Sequence, residues 1–118
     1  MKLSNNFTLS EFTRSNNAER LNIENKPDTE QTENLRKLGI KLLQPLREIY
    51  REPFFINSGF RSQLLNKLVG GVPTSQHTKG QAADIRVKEP RKLLSELLKS
   101  RLEFDQAILY PTFLHLSY

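Results

Sequence analysis

The chain of 118 residues contains no cysteine, no tryptophan and only two histidines. The absence of cysteine excludes disulfide bonds, thiolate zinc fingers and cysteine nucleophiles. Any metal site in this protein must therefore use histidine and carboxylate ligands. The candidate ligands are few: the only imidazoles are those of His77 and His115, and the carboxylates come from 13 acidic residues.

Long apolar runs are missing as well. No segment approaches the roughly 20 apolar residues that cross a bilayer, and the opening residues MKLSNNFTLSEF lack the apolar stretch of a signal peptide. We therefore expect no membrane insertion. We also expect the protein to be synthesised in the cytoplasm, so that any work outside the cell would require a separate route of release. The length fits one domain over residues 1–118, which we expect to be monomeric.

Positive charge is in excess, since 18 Lys and Arg residues against 13 acidic residues give a net charge of +5. This balance favours polyanionic partners, so nucleic acid and an anionic cell-wall polymer are both compatible with it. The basic residues are scattered over predicted helix surfaces, without the strand pattern of aromatic and basic residues that base stacking needs. We therefore expect no nucleic-acid partner.

Hydrophobic periodicity predicts an α+β fold, with helices clustered early in the chain and strands clustered late. We expect helices over residues 10–14, 28–50, 63–69 and 90–100, strands over residues 54–57, 82–87, 106–110 and 113–118, and loops over residues 22–30 and 72–81. Thr8 and Glu11 have the spacing of a capping box, Asp28 can cap the long helix, and Pro45 should kink or divide that helix. The strands would form a small, mostly antiparallel sheet packed against the helices.

The same patterns assign side chains to the core. The buried positions predicted for the long helix and the last helix are Leu35, Leu38, Leu42, Leu46, Ile49, Leu93, Leu94, Leu97 and Leu98. Alternation along a strand places Ala83, Ile85 and Val87 toward the core. Asp84 then points to the other side of the sheet, and the last strand places His115 on a matching side, opposite Leu114 and Leu116.

Asp84 and His115 can therefore share one side of the sheet, where His77, on the loop before Asp84, can join them. Two imidazoles and a carboxylate are a workable ligand set for catalytic zinc, with water in the open fourth position. The spacing of His77 and Asp84 excludes the HExxH type of metalloprotease helix. Taken singly, a loop histidine is more often a surface or structural residue, so spacing alone leaves both interpretations open.

Several short motifs together resemble a known family. Their order along the chain is SGFRS from Ser58, LNKLVGG from Leu65, SQHTKGQAADI from Ser75, FDQ from Phe104 and LHLS from Leu114. These motifs are similar to those of the zinc D-Ala-D-Ala carboxypeptidase and endopeptidase family, which has the hedgehog/D,D-peptidase fold. TLSEFTRS, residues 8–15, and the helix after Pro27 also look like the smaller, phage-associated endolysin-like branch of that family.

The resemblance implies a role for each matching residue. His77, Asp84 and His115 would hold one zinc ion. Arg61 would hold the substrate and the oxyanion that forms at the scissile carbonyl, and Ser75 would line the substrate pocket. The alternative for Arg61 is a solvated loop arginine or a salt bridge to Asp105.

One departure from the family pattern concerns proton transfer. Members of the family usually carry a glutamate shortly before the final histidine as the general base, whereas residues 106–114 of this chain contain no acid. Three alternatives follow: Asp105 acts through a water, Tyr110 supplies its hydroxyl, or activity is lost.

The resemblance implies a zinc-dependent peptidase that cleaves stem peptides of peptidoglycan, as a D,D-carboxypeptidase or an endopeptidase of the endolysin type. It would be released to the cell wall by a phage-type lysis system. The missing glutamate motivates a second hypothesis from another class, a descendant that binds zinc or peptidoglycan without hydrolysis.

Overall fold

The computed structural model describes residues 1–118 and is built around one antiparallel sheet of four strands. The strands are β1 (Phe55–Ser58), β2 (Ala82–Arg86), β3 (Gln106–Leu109) and β4 (Phe113–Ser117), in the order β1-β2-β4-β3. The helices are α1 (Leu9–Thr13), α2 (Asn16–Arg20), α3 (Thr29–Lys37), α4 (Gln44–Tyr50), α5 (Gln63–Leu68) and α6 (Pro90–Ser100). The predicted α+β class and the antiparallel sheet are confirmed. None of the helices has the length and apolar character needed to span a membrane.

The predicted long helix is divided by a π-helical segment, Leu38–Leu43, between α3 and α4. Asp28 caps α3 as predicted, in a capping box with Gln31. In the π-helical segment the amide of Gln44 bonds to the carbonyl of Gly39, five residues back. The wider turn accommodates Pro45, which lacks an N–H and whose ring would collide with a carbonyl four residues back in a regular α-helix.

This extra residue in the turn changes which side chains are buried at the end of the π-helical segment and along α4. Leu43, Leu46 and Tyr50 face the core, whereas Ile49 is exposed, so the prediction that Ile49 is buried was wrong. A strict period of 3.6 residues cannot anticipate the shift, because a π-helical insertion moves the apolar side by one residue.

The core lies between one side of the sheet and the helices. It is a single cluster of buried apolar side chains from most of the elements, including Ile85, Leu114 and Leu116 from the sheet. The helix α6 has its predicted bounds and contributes Leu93 and Leu97. Leu98 was predicted to be buried and is exposed instead, because it lies just beyond the edge of the apolar stripe of α6.

Two short elements were not predicted. The helix α2 begins at a cap formed by the side chain of Ser15, and a 3₁₀ turn, Gln76–Lys79, lies inside the segment predicted as an irregular loop. Both have only four or five residues, too few for hydrophobic periodicity to register. The 3₁₀ turn matters most, because it carries His77.

Candidate metal centre

The register of the sheet places Asp84 directly opposite His115. The pairs along β2 and β4 run from Ala82 with Ser117 to Arg86 with Phe113, and Asp84 with His115 is the central pair. Directly opposed residues project from the same side of a sheet. The Nδ1 atom of His115 lies 2.8 Å from Oδ1 of Asp84, so the predicted approach of these two side chains is present.

His77 reaches Asp84 and His115 from the 3₁₀ turn, whose backbone is hydrogen-bonded by three side chains. The hydroxyl of Ser75 caps the turn by accepting from the amide of His77. Two amide side chains of α3 donate to the turn, Gln31 to the carbonyl of Thr78 and Asn34 to that of Lys79. The position of the His77 backbone is therefore fixed independently of any ligand.

Gly80 ends the turn with a φ of +75°, in the left-handed region that favours glycine. A Cβ at this position would collide with the backbone carbonyl of Gln31. Glycine therefore lets the chain turn into β2 while the 3₁₀ turn packs directly on α3.

The ring of His77 is buried and its orientation indicates which nitrogen carries the proton. Nδ1 lies 2.7 Å from the carbonyl oxygen of Gly59. Because a carbonyl only accepts hydrogen bonds, Nδ1 is the donor, and in the neutral ring Nε2 presents a lone pair. That Nε2 faces Oδ1 of Asp84 at 3.4 Å, so two acceptors converge on one point. A cation between them satisfies both.

The three side chains together fit a metal ion. One ligand atom from each of His77, Asp84 and His115 can be chosen so that all three lie within 4.8 Å of one another. Burial alone would raise the pKa of the Asp84 carboxyl, but the hydrogen bond from Nδ1 of His115, the largest of the lowering influences, opposes burial, and this pKa lies well below its usual range. Asp84 is therefore an anion at neutral pH, as a metal ligand must be.

Arg61 lies beside this group and is only partly satisfied. Its Nη1 donates to Oδ1 of the buried Asn66 at 3.0 Å, while its buried Nε has no hydrogen-bond partner. Burial lowers the pKa of Arg61, and the charge of Asp84 opposes that shift. The guanidinium stays charged, and because Nε has almost no exposed surface, an anionic or carbonyl group would be bound by the terminal nitrogens. Arg61 also contributes to a cleft of about 450 Å³, whose other lining residues include Arg14, Asn17 and Ser58.

The alternative salt bridge between Arg61 and Asp105 is not formed. Asp105 instead accepts from the side chains of Gln76, at 2.7 Å, and Ser117, at 3.3 Å, through the same oxygen, Oδ2. Tyr110 lies at the other end of the β3–β4 hairpin, where its ring stacks on Phe113 with centroids 4.4 Å apart. Neither residue forms a hydrogen bond with Asp84 or the two histidines.

The sequence did not predict the role of two asparagines, Asn25 and Asn66, that position the site. Asn25 donates to the carbonyls of Thr13 and Phe60 and accepts from the amide of Ser62, so it fastens the segment that carries Arg61. Asn66 links Arg61 to the carbonyl of Val72. The LNKLVGG motif contains Asn66 and could have drawn attention to it, whereas nothing in the loop around Asn25 distinguishes that residue.

A family model described as Peptidase M15 matches residues 5–117, nearly the whole chain. No curated protein matches the chain significantly.

Proposed function

The chain belongs to the peptidase M15 family, and we propose that it is a zinc-dependent metallopeptidase that hydrolyses peptide bonds in peptidoglycan stem peptides. We favour the D,D-carboxypeptidase or endopeptidase type, acting at the cell wall after release by a phage-type lysis system. The observation that carries the proposal is the convergence of His77, Asp84 and His115 within 4.8 Å. The lone pair of His77 Nε2 faces an ionised carboxylate there, as a divalent cation requires.

In this proposal each residue at the site has a separate role in the reaction. His77, Asp84 and His115 hold the ion, which when bound supplies Lewis-acid activation of the scissile carbonyl and of water. Arg61, a half-buried guanidinium beside the group, stabilises through its terminal nitrogens the negative charge that develops during amide hydrolysis. Asn66 fixes the direction of that guanidinium through its bond to Nη1. In the same proposal Ser75 contributes to the substrate pocket next to the turn it caps.

Asp105 is our candidate for the proton acceptor. It is the acid that touches neighbours of both histidines, since Gln76 precedes His77 and Ser117 lies two residues after His115 on the same side of β4. Its Oδ2 receives both of those hydrogen bonds, which leaves Oδ1 free. Through one water, Oδ1 can take the proton that the attacking water loses.

A second candidate function is binding of zinc or peptidoglycan without hydrolysis. The observation that favours it is that Asp105 already accepts two hydrogen bonds and touches none of the three metal-binding side chains. In that case the group His77, Asp84 and His115 would persist as a structural or recognition site.

Zymography on purified cell wall distinguishes the two candidates. We expect a cleared zone that disappears with a chelator, returns with added zinc, and is absent for His77→Ala and Asp84→Ala. Both variants should lose stoichiometric zinc and keep a native far-UV circular dichroism spectrum, while Gln106→Ala, a change at an exposed position of β3, should keep both metal and clearing. No clearing at any zinc concentration would eliminate the hydrolase, and unchanged metal content in both ligand variants would show that the site is misassigned.

A further inference from the structure

The side of the sheet that carries Asp84 and His115 is covered at one end and open at the other. At the covered end, the 3₁₀ turn packs against β2, and Ala82 and Ser117 are fully buried. Asp84 and His115 come next and retain slight exposure. Two residues further along each strand, Arg86 is exposed and Phe113 is half-buried. The metal-binding group therefore sits at the boundary, and the open end gives a substrate access to it.

The open end carries a row of four side chains across the sheet. Phe55 of β1 is paired with Arg86 of β2, and Arg86 is paired with Phe113 of β4. Tyr110 then stacks on Phe113 with ring planes 12° apart. We call Phe55, Arg86, Phe113 and Tyr110 the open-end row. It combines one cation with three aromatic rings, and Phe55 is 53% exposed although it is apolar.

Arg86 provides the charge of this row and is not neutralised within the protein. Its guanidinium carbon lies 5.3 Å from the centroid of the Phe55 ring. No carboxylate lies within 4.0 Å of it, since the ion pairs of the chain involve other residues. Contact with Phe55 restrains the side chain while its donors face solvent. A restrained guanidinium with free donors is suited to bidentate recognition of a carboxylate.

We propose that the open-end row is a substrate subsite that binds a carboxylate-bearing residue of the stem peptide about two residues from the scissile bond. The inference rests on the proposed function for the location of that bond. The distance follows from the strand: Arg86 lies two residues beyond Asp84 on the same side, or about 7 Å. An extended peptide whose scissile carbonyl lies at the metal-binding group places its second residue at that distance.

The aromatic members of the row define the path of the peptide. Phe55 flanks the guanidinium from the edge strand, and the Tyr110–Phe113 stack borders it on the other side. These rings offer apolar contact to the backbone of a bound peptide and limit the side from which a carboxylate can approach. The row thus selects for an acid at one position without contributing to the reaction itself.

The test uses two synthetic stem pentapeptides, L-alanyl-γ-D-glutamyl-L-lysyl-D-alanyl-D-alanine with the glutamyl α-carboxyl either free or amidated. Binding to the zinc-loaded protein is measured by calorimetry, and cleavage is measured separately. We expect the wild-type protein to bind the free acid about tenfold more tightly than the amide, as one charge-assisted hydrogen-bonded pair supplies. Arg86→Gln should abolish this preference and Arg86→Lys should retain part of it. Lys99→Gln, the same loss of charge at an exposed position of α6, should leave it unchanged.

The outcomes separate this inference from the proposed function. An Arg86-dependent preference in binding, without cleavage of either peptide, supports the subsite and overturns the hydrolase. Cleavage of both peptides without any preference in the wild-type protein overturns the subsite and leaves the hydrolase standing. An equal preference in wild type and Arg86→Gln also overturns the subsite, as does tighter binding of a single-stranded oligonucleotide than of either peptide.

Discussion

The covered and open ends of one sheet surface are built in opposite ways. At the covered end the 3₁₀ turn that carries His77 and the segment that carries Arg61 are fastened by side-chain hydrogen bonds, and His77 is 3% exposed. At the open end, Arg86 has no ionic partner and Phe55 is about half exposed. A metal ion needs ligands fixed in one geometry, whereas a substrate needs surface that is still free. The comparison suggests that rigidity and accessibility are divided between the two ends.

Much of the rigidity at the covered end comes from side-chain amides bonded to backbone carbonyls. Gln31 and Asn34 fasten the 3₁₀ turn, and Asn25 fastens the segment that contains Arg61. Such bonds let short irregular segments satisfy their backbone groups without regular secondary structure. Changes to these amides should therefore affect folding and metal binding together, while changes at the open end should act mainly on ligand preference.

The largest effect should come from Gly80→Ala at the covered end. The left-handed backbone costs about 1 kcal/mol for alanine, and displacing the carbonyl of Gln31 should bring the total loss of unfolding free energy to about 3 kcal/mol or more. Because the displaced turn carries His77, we also expect weaker zinc binding. Urea denaturation and zinc titration measure the two effects.

Gly70→Ala is the matched control for this substitution. Gly70 has nearly the same conformation, with a φ of +80° against +75°, but a Cβ there would meet no atom within 4 Å. Gly70→Ala should lower the free energy of unfolding by only about 1 kcal/mol, the cost of placing alanine in a left-handed conformation, and should leave zinc affinity unchanged. Equal losses in the two variants would mean that the close packing of the turn on α3 contributes nothing.

The same contrast explains what the sequence could predict. Alternation along β2 and β4 was enough to expect Asp84 and His115 on one side of the sheet, because a period of two residues is a property of every strand. The approach of His77 depended on an irregular loop, and its participation was inferred from motif resemblance as well as from position. The amides of Asn25 and Asn66 bond to distant carbonyls, and no local pattern encodes such contacts.

The open-end row was invisible for a different reason. Its four members come from three strands and a hairpin turn, far apart in the sequence, and only the register of the sheet makes them neighbours. The π-helical segment was missed because Pro45 can be accommodated in several ways, and only packing decides which of them occurs. Local periodicity thus identified most elements but not the lateral arrangement that gives this surface its chemistry.

An intermediate effect is expected from substitutions at the two candidates for proton transfer, Asp105 at the covered end of the sheet surface and Tyr110 at the open end. Asp105→Asn keeps the shape at the covered end and removes the basic carboxylate, so kcat should fall about a hundredfold with zinc retained. Tyr110→Phe keeps the stack on Phe113 at the open end and should change kcat little. Steady-state kinetics on a stem peptide, with metal content measured in parallel, gives both values. A large fall for Tyr110→Phe with a small one for Asp105→Asn would assign proton transfer to the open end.

The smallest effect should come from removing an aromatic ring of the open-end row. Phe54 and Phe55 are adjacent in the chain, but Phe54 is 4% exposed and stacks on Phe7, whereas Phe55 is 53% exposed. Phe54→Ala should lower the unfolding free energy by about 3 kcal/mol or more, as large-to-small changes in a core do. Phe55→Ala should lower it by less than about 1 kcal/mol, the scale of an exposed cation–π contact. Urea denaturation of the two variants compares them directly.

A loss for Phe55→Ala as large as that for Phe54→Ala would mean that the row is needed for the fold. A small loss would leave ligand contact as the reason for an exposed phenylalanine beside an unpaired arginine.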